Sequence, residues 1–260
     1  FKPYFDKRKE GKTLGGAWID YEVVKNGVYE LVECNNCELV YQHYIPTDTL
    51  MFNVYEKWID QTRNHIRNLE KQTLGRSTKN YKEILSVVQY LNKPPHELQF
   101  LDFGLGWAFW AKMVQSFGIN ILGTELSTSK IENAQKNGIK ILEFEKLTSL
   151  KFDFINTEQV FEHIENPYET LMILKKALKK GGLIKISVPH GDRIKQKLKA
   201  LNRENPNFET IREANPFEHI NCYNYKALIN LAKRAGLKQV ILPVNEVSYF
   251  GPDVVENRFK

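Results

Sequence analysis

Cysteine is scarce in this chain, with three residues in 260. So few thiols exclude a disulfide framework and make a reducing cytoplasm the expected setting. Long apolar runs are also missing. None approaches the ~18 residues that a membrane-spanning helix needs. No leader is expected, because Phe1 to Glu10 is polar and basic. There is no initiator Met, which leaves room for residues upstream. A large excess of one charge is absent as well: 37 Lys and Arg stand against 31 Asp and Glu, a net charge of +6. The densest basic runs, Lys175, Lys176, Lys179, Lys180 and Arg193, Lys195, Lys197, Lys199, read as solvated helix faces, not as a phosphate-tracking surface. Nucleic acid and membrane are therefore not expected partners. At 42% apolar and 26% charged residues, the composition is that of a globular protein, which excludes fibrous and disordered classes. The length suits one α/β unit with an N-terminal extension.

Three segments follow from the pattern. Residues 1–50 read as a small β-rich extension, with strands at Ala17 to Val24, Val28 to Val32 and Leu39 to Tyr44. Asn26-Gly27 is a hairpin signal between the first two. Residues 51–93 read as a helical lid or cap. Tyr55, Trp58, Ile59, Ile66 and Leu69 recur at helical spacing, as do Tyr81, Ile84, Leu85, Val88 and Leu91. Gly75-Arg76-Ser77 divides the two runs, and Pro94-Pro95 ends the second. From residue 94 to 260, short apolar strands alternate with helices. Strands are expected at Gln99 to Phe103, Asn120 to Glu125, Lys140 to Phe144, Asp153 to Thr157, Leu183 to Pro189 and Lys238 to Leu242. This alternation predicts a doubly wound, Rossmann-like, mostly parallel sheet with helices on both faces. Ligands then bind beyond the carboxyl ends of the strands.

The segment Leu101-Asp102-Phe103-Gly104-Leu105-Gly106-Trp107-Ala108 joins the first of these strands to its helix. Gly104 and Gly106 allow a sharp bend and a close ligand approach. The helix behind them offers free N–H donors. Nineteen residues after Gly106, Glu125 ends the second strand, where a carboxylate can accept both hydroxyls of a ribose. Asp102 beside the bend disfavours a pyrophosphate, and Ala108 does not complete a third-glycine signature. An acid at the bend and an acid at the strand tip suit a cationic amino-acid nucleoside carrying a sulfonium.

On these residues, and on Phe152-Asp153-Phe154-Ile155-Asn156-Thr157-Glu158-Gln159-Val160-Phe161-Glu162-His163 and Lys179-Lys180-Gly181-Gly182-Leu183-Ile184, the chain resembles the class I S-adenosylmethionine-dependent methyltransferases. The resemblance runs from about residue 80 to 242. It implies a seven-stranded sheet, S-adenosylmethionine as cofactor and S-adenosylhomocysteine as product. It implies cofactor contacts from Asp102, Phe103, Gly104, Gly106, Trp107, Glu125, Leu126, Glu158 and Gln159, with Glu145 or Leu147 at the adenine edge. The acceptor it implies is a small polar molecule, with a sugar or sugar-derived hydroxyl favoured. An RNA methyltransferase and a non-catalytic cofactor-binding domain of a larger assembly are the alternatives.

His163 and His219 are the candidate general bases, with His190 behind them. The segment around Glu162-His163 also resembles ubiquinone-pathway and small-RNA 3′-end methyltransferases. Those families hold a divalent metal with Glu-x-x-Glu-His and a later His. Here Gln159 stands at the first Glu position, so no metal is expected. Cys34-Asn35-Asn36-Cys37 resembles half of a zinc ribbon found in front of some bacterial sugar and natural-product methyltransferases. A structural zinc needs four ligands, and residues 1–33 contain neither Cys nor His. Zinc at Cys34 and Cys37 is therefore carried only as a secondary reading.

Overall fold

The computed structural model describes residues 21–202 and 207–242. Residues 17–20 of the first expected strand lie outside them; the rest of that segment is a short helix, α1 (Tyr21–Val24), not a strand. Lys25 and Asn26 form the turn that closes it, with the Gly27 N–H donating to the Val24 carbonyl at 2.9 Å. The hairpin forms instead between β1 (Leu31–Glu33) and β2 (Val40–Gln42), and Cys34 to Glu38 is its loop. Among the described residues no strand pairs across Asn26-Gly27, whereas Glu33 finds Val40 across the Cys34 loop.

The helical segment contains α2 (Asp48–Phe52), a π-helical turn (Asn53–Trp58), α3 (Gln61–Glu70) and α4 (Leu74–Leu91). Thr73 caps α4 by accepting the Arg76 N–H, so Gly75 to Ser77 lie inside its first turn. Asn92, with φ +48°, ends it in the left-handed conformation. Ile84 and Val87 of α4 pack with Phe100 and Phe154 against one face of the main sheet.

That sheet alternates as expected: β3 (Gln99–Phe103), α5 (Phe109–Ser116), β4 (Asn120–Thr124), α6 (Thr128–Lys136), β5 (Lys140–Ile141), β6 (Phe152–Glu158), α7 (Pro167–Ala177) and β7 (Leu178–Ser187). Its order is β5-β4-β3-β6-β7, and all pairs are parallel. Winding reverses at β3, so the crevice opens beyond the ends of β3, β4 and β6. The expected seven strands are five among the described residues. Residues 237–242 form no strand, and Val240 and Ile241 are exposed. Gly181-Gly182, which follows the helical pattern from Pro167 to Lys179 and from sequence is expected to close it, does not close a helix. It sits in a bulge where pairing jumps from Phe152–Leu178 to Phe154–Leu183. A Cβ at Gly182 would meet three carbonyl oxygens at 3.0–3.1 Å.

After β7 come α8 (Ile194–Lys199), β8 (Asn221–Cys222) and α9 (Tyr225–Arg234). β8 pairs antiparallel with β2, Val40 opposite Cys222 and Tyr41 opposite Asn221. The N-terminal extension thus joins the segment that carries His219. Val40, Ile194, Ile211, Ala214 and Cys222 form the buried cluster beneath.

Asp153 anchors the start of β6. Its side chain is 2% exposed and accepts from Lys93 at 2.9 Å, Lys179 at 2.6 Å and the Gln99 N–H at 2.9 Å. Burial pushes this carboxyl up, but Lys179, the Gln99 amide and Lys93 outweigh it and hold it below its ordinary range. Its stabilising contribution is full above about pH 4 and fades as pH falls through the folded value. Asp153→Asn should therefore lower the unfolding free energy at pH 7 by about 1.5–3 kcal/mol in denaturant titration, and the gap to wild type should shrink on acidification.

Candidate active site

Three strand ends build the cleft. At β3, Gly104 (φ +76°) and Gly106 (φ +56°) turn the chain in the left-handed region that favours glycine. The Gly104 N–H donates to the Thr124 carbonyl at 3.0 Å and to its hydroxyl at 3.2 Å. A Cβ at Gly104 would lie 2.6 Å from a methyl of Val160, so the loop after β6 touches the glycine bend directly. α5 then begins at Ala108, itself left-handed at φ +60° and without a side-chain cap.

At the tip of β4, Glu125 is held by backbone alone on three sides. Its carboxylate accepts the N–H of Gly106 at 2.9 Å, of Leu126 at 2.9 Å and of Ser127 at 3.1 Å. Lys130 stands 4.0 Å away. Leu126, 94% exposed, holds an apolar side chain out beside this carboxylate. Phe103 is buried at the end of β3 and faces Phe144 at 6.1 Å. Leu147 belongs to the core beneath the sheet, so of the two adenine-edge candidates only Glu145 is exposed. Trp107 is committed to the helical segment: its indole N–H donates to Asn64 at 2.8 Å, and His65 stacks on its ring at 4.3 Å.

Asp102 does not reach the cleft mouth as an open acid. It is 2% exposed and accepts from the Asn156 amide at 2.8 Å. Burial pushes its carboxyl up to about 7, against the pull of Asn156 and Lys185, with Glu158 and Glu125 adding to the rise. Lys185 bridges Glu158 at 2.7 Å and Glu83 of α4 at 2.9 Å. Gln159 follows, exposed and left-handed at φ +56°. Asn156, Lys185 and Asn64 carry no motif spacing; only the folded sheet shows their part.

The loop after β6 turns through Phe161–His163 and brings Glu162 and His163 to His219. The two imidazole centroids are 5.0 Å apart. Burial lowers His163 to about 4, helped by the nearby His219, against the pull of the Glu218 carbonyl; burial also lowers His219. Tyr55 of the π-helical turn reaches the His163 Nδ1 at 3.3 Å. The same phenol is pushed up by burial and, less, by the charges of Glu218, Glu162 and Glu125. His190 is apart from this group, exposed beside Asp192 at 3.4 Å. Cys34 and Cys37 are free thiols of the β1–β2 loop. Backbone amides of Cys37 and Asn36 pull the Cys34 thiol down, and burial pushes Cys37 up. Among the described residues no third His, Cys or carboxylate joins them in a metal-ligand group.

Two variants test this geometry. Gly104→Ala forces a left-handed alanine against Val160 and should weaken S-adenosylhomocysteine binding by about tenfold or more in calorimetric titration while the chain stays folded. Asp102→Asn keeps the acceptor for Asn156 and removes a buried ionisation. An unfolded aspartate ionises near pH 4 and the folded one near pH 7, so wild type loses stability across that interval. The variant's melting temperature should gain on wild type as pH rises from about 4 to about 7.

The comparisons agree with this architecture. A family model described as a methyltransferase domain matches residues 76–241. An uncharacterized protein of Methanocaldococcus jannaschii is 26% identical over 190 residues, covering 72% of this chain and 78% of its own. The plantazolicin methyltransferase BpumL, solved in complex with SAH, superposes with a TM-score of 0.53 at 15% identity, covering 81% of this chain and 89% of that one. The related BamL, solved with a desmethyl plantazolicin analogue and SAH, gives 0.52 at 18% identity over 71% and 70% of the two chains. With the glycine bend, the strand-tip carboxylate and the matched domain on one parallel sheet, the chain belongs to the methyltransferase domain family, the class I S-adenosylmethionine-dependent enzymes.

Proposed function

We propose that this enzyme transfers the methyl group of S-adenosylmethionine to an oxygen of a small polar acceptor, with a sugar or sugar-derived hydroxyl favoured. The donor lies over Gly104 and Gly106. Its ribose diol takes the Glu125 carboxylate, its adenine rests on Leu126 near Phe103, and its amino-acid end points to the Asp102 and Glu158–Gln159 side. Trp107 fixes the helical segment, the cap of residues 51–93, over this pocket. The acceptor oxygen attacks the sulfonium methyl in line. The carbon–sulfur bond breaks with its electrons on sulfur, S-adenosylhomocysteine leaves, and the hydroxyl proton passes to the His163 and His219 side. Most of the rate comes from alignment, with proton removal adding to it.

The observation that carries this reading is the loop after β6. Its Val160 closes on the Gly104 bend while its His163 meets Tyr55 at 3.3 Å and stands beside His219, which supports one cleft for donor and acceptor. The RNA alternative has less support, because three residues of the basic runs are spent locally. Lys179 pairs with Asp153, Lys195 with Glu33 and Glu38, and Lys197 with Glu213. Among the described residues no helix is long and apolar enough to cross a membrane. The cytoplasm remains the proposed setting on the cysteine content alone.

A transfer assay with radiolabelled methyl donor across sugars, sugar nucleotides, phenols, peptides and RNA tests the reading. Turnover on the sugar class is expected. His163→Ala should slow it by about a hundredfold and leave S-adenosylhomocysteine affinity within about twofold. Labelling of RNA or peptide alone would overturn the acceptor assignment. Binding of S-adenosylhomocysteine with no turnover on any acceptor would favour a non-catalytic module.

A further inference from the structure

We propose that Glu162, His163 and His219 are the three protein ligands of a divalent transition-metal ion on the acceptor side of the cleft. One ligand atom from each lies within 4.8 Å of the other two. The inference does not depend on which acceptor is methylated, and in the metal-bound enzyme it makes His163 and His219 ligands in place of proton acceptors.

The argument begins with lone pairs. Glu162 is 1% exposed, and neither of its carboxylate oxygens finds a hydrogen-bond partner among the described residues. His163 places its Nδ1 against the Glu218 carbonyl. A carbonyl only accepts, so the proton sits on Nδ1 and the Nε2 lone pair is free. That Nε2 lies 3.7 Å from a Glu162 oxygen. His219 donates to the backbone carbonyls of Arg212 and Glu213, while its Nδ1 is buried and unpartnered among the described residues. Two imidazole lone pairs and a carboxylate thus converge with no donor between them. Such a group is repulsive until a cation or a proton enters it.

The surroundings favour the cation. Each imidazole hands its other N–H to backbone carbonyl oxygen, which fixes tautomer and ring plane as metal-binding histidines require. Both ligand loops are clamped. The Asn221 amide donates to the carbonyls of Ile164 at 2.6 Å and Phe161 at 3.4 Å, on either side of Glu162 and His163. The Gln42 amide donates to the carbonyls of His219 at 3.0 Å and Asn215 at 3.3 Å. Asn221 and Gln42 come from β8 and β2, so the extension sets the distance between the two histidines. Nearby cations are engaged elsewhere: Lys130 stands beside Glu125 and Lys185 between Glu83 and Glu158.

The ligand set selects the ion. Two imidazoles and one carboxylate suit zinc, cobalt, iron or manganese, whereas magnesium and calcium prefer oxygen ligands throughout. Gln159, in place of a second carboxylate, is exposed and outside the group. On this proposal the glutamine changes the class of ion and does not remove the site. Three protein ligands leave coordination positions open for an acceptor. When bound, such an ion supplies a Lewis acid for an acceptor hydroxyl.

The test uses a Cys34→Ser/Cys37→Ser background, so that the loop thiols do not compete. Chelator-treated protein is titrated with cobalt(II) chloride and followed by visible absorption and calorimetry, with magnesium chloride as the contrast. One equivalent of cobalt should bind, at least about a hundredfold more tightly than magnesium. Glu162→Gln and His219→Ala should abolish stoichiometric binding while S-adenosylhomocysteine still binds. Without any variant at the site, proton NMR of the cobalt form should show two exchangeable, hyperfine-shifted imidazole N–H signals. Protein that binds S-adenosylhomocysteine but no cobalt overturns the proposal, as does cobalt binding that survives both substitutions or lacks imidazole signals. Failure of methyl transfer with cobalt binding intact would count against the acceptor reading alone.

Discussion

The cleft depends on one hydrogen bond, from the Gly106 amide to the Glu125 carboxylate at 2.9 Å. It ties the bend after β3 to the tip of β4, the two strands between which the proposed donor site lies. Thr124 reinforces it by taking the Gly104 amide on both its carbonyl and hydroxyl oxygens. A carboxylate fed by three backbone amides is oriented before any ligand arrives, which spares the ordering cost of binding. Gly104 serves the same end from the other side, since only a residue without Cβ lets Val160 close against the bend.

Behind this bend the sheet carries a chain of polar groups that starts from buried Asp102 and Asn156. Asp102, Asn156 and Lys185 follow one another across β3, β6 and β7, with Glu83 of α4 and Glu158 completing the chain. α4 is therefore tied to the sheet by charge as well as by Ile84 and Val87. On the side of His163 and His219 the fold works differently. Two loops that carry histidines are drawn together by β2 and β8, through the pairs Val40–Cys222 and Tyr41–Asn221, whose partners come from opposite ends of the described chain. The N-terminal extension is thus part of the site's architecture through Gln42 and Asn221.

What was legible in the sequence was local. The glycine bend and Glu125 sit inside consecutive βα units, where strand, turn and helix signals fall within a few residues of one another. The buried strands β3 and β6 read clearly because both faces are covered and their apolar runs are continuous. Other features depend on distant partners. Tyr21 to Val24 has a strand-forming sequence but is a helical turn, with no strand paired to it among the described residues. Gly181-Gly182 reads as a helix stop, yet Leu178 already pairs with Phe152 and the glycines fill a bulge. Asp102 reads as an acid at the cleft mouth, and only the pairing of β3 with β6, which sets Asn156 opposite it, shows that it is buried and hydrogen-bonded. The meeting of His163 with His219 rests on the β2–β8 pairing, which no periodicity announces.

The most direct measurement is a crystal structure with S-adenosylhomocysteine bound. The account predicts both ribose hydroxyls within hydrogen-bond distance of the Glu125 carboxylate, with the ligand's sulfur on the side facing Tyr55 and His163. Density for the nucleoside elsewhere on the sheet, with Glu125 untouched and the cleft over Gly104 and Gly106 empty, would contradict it.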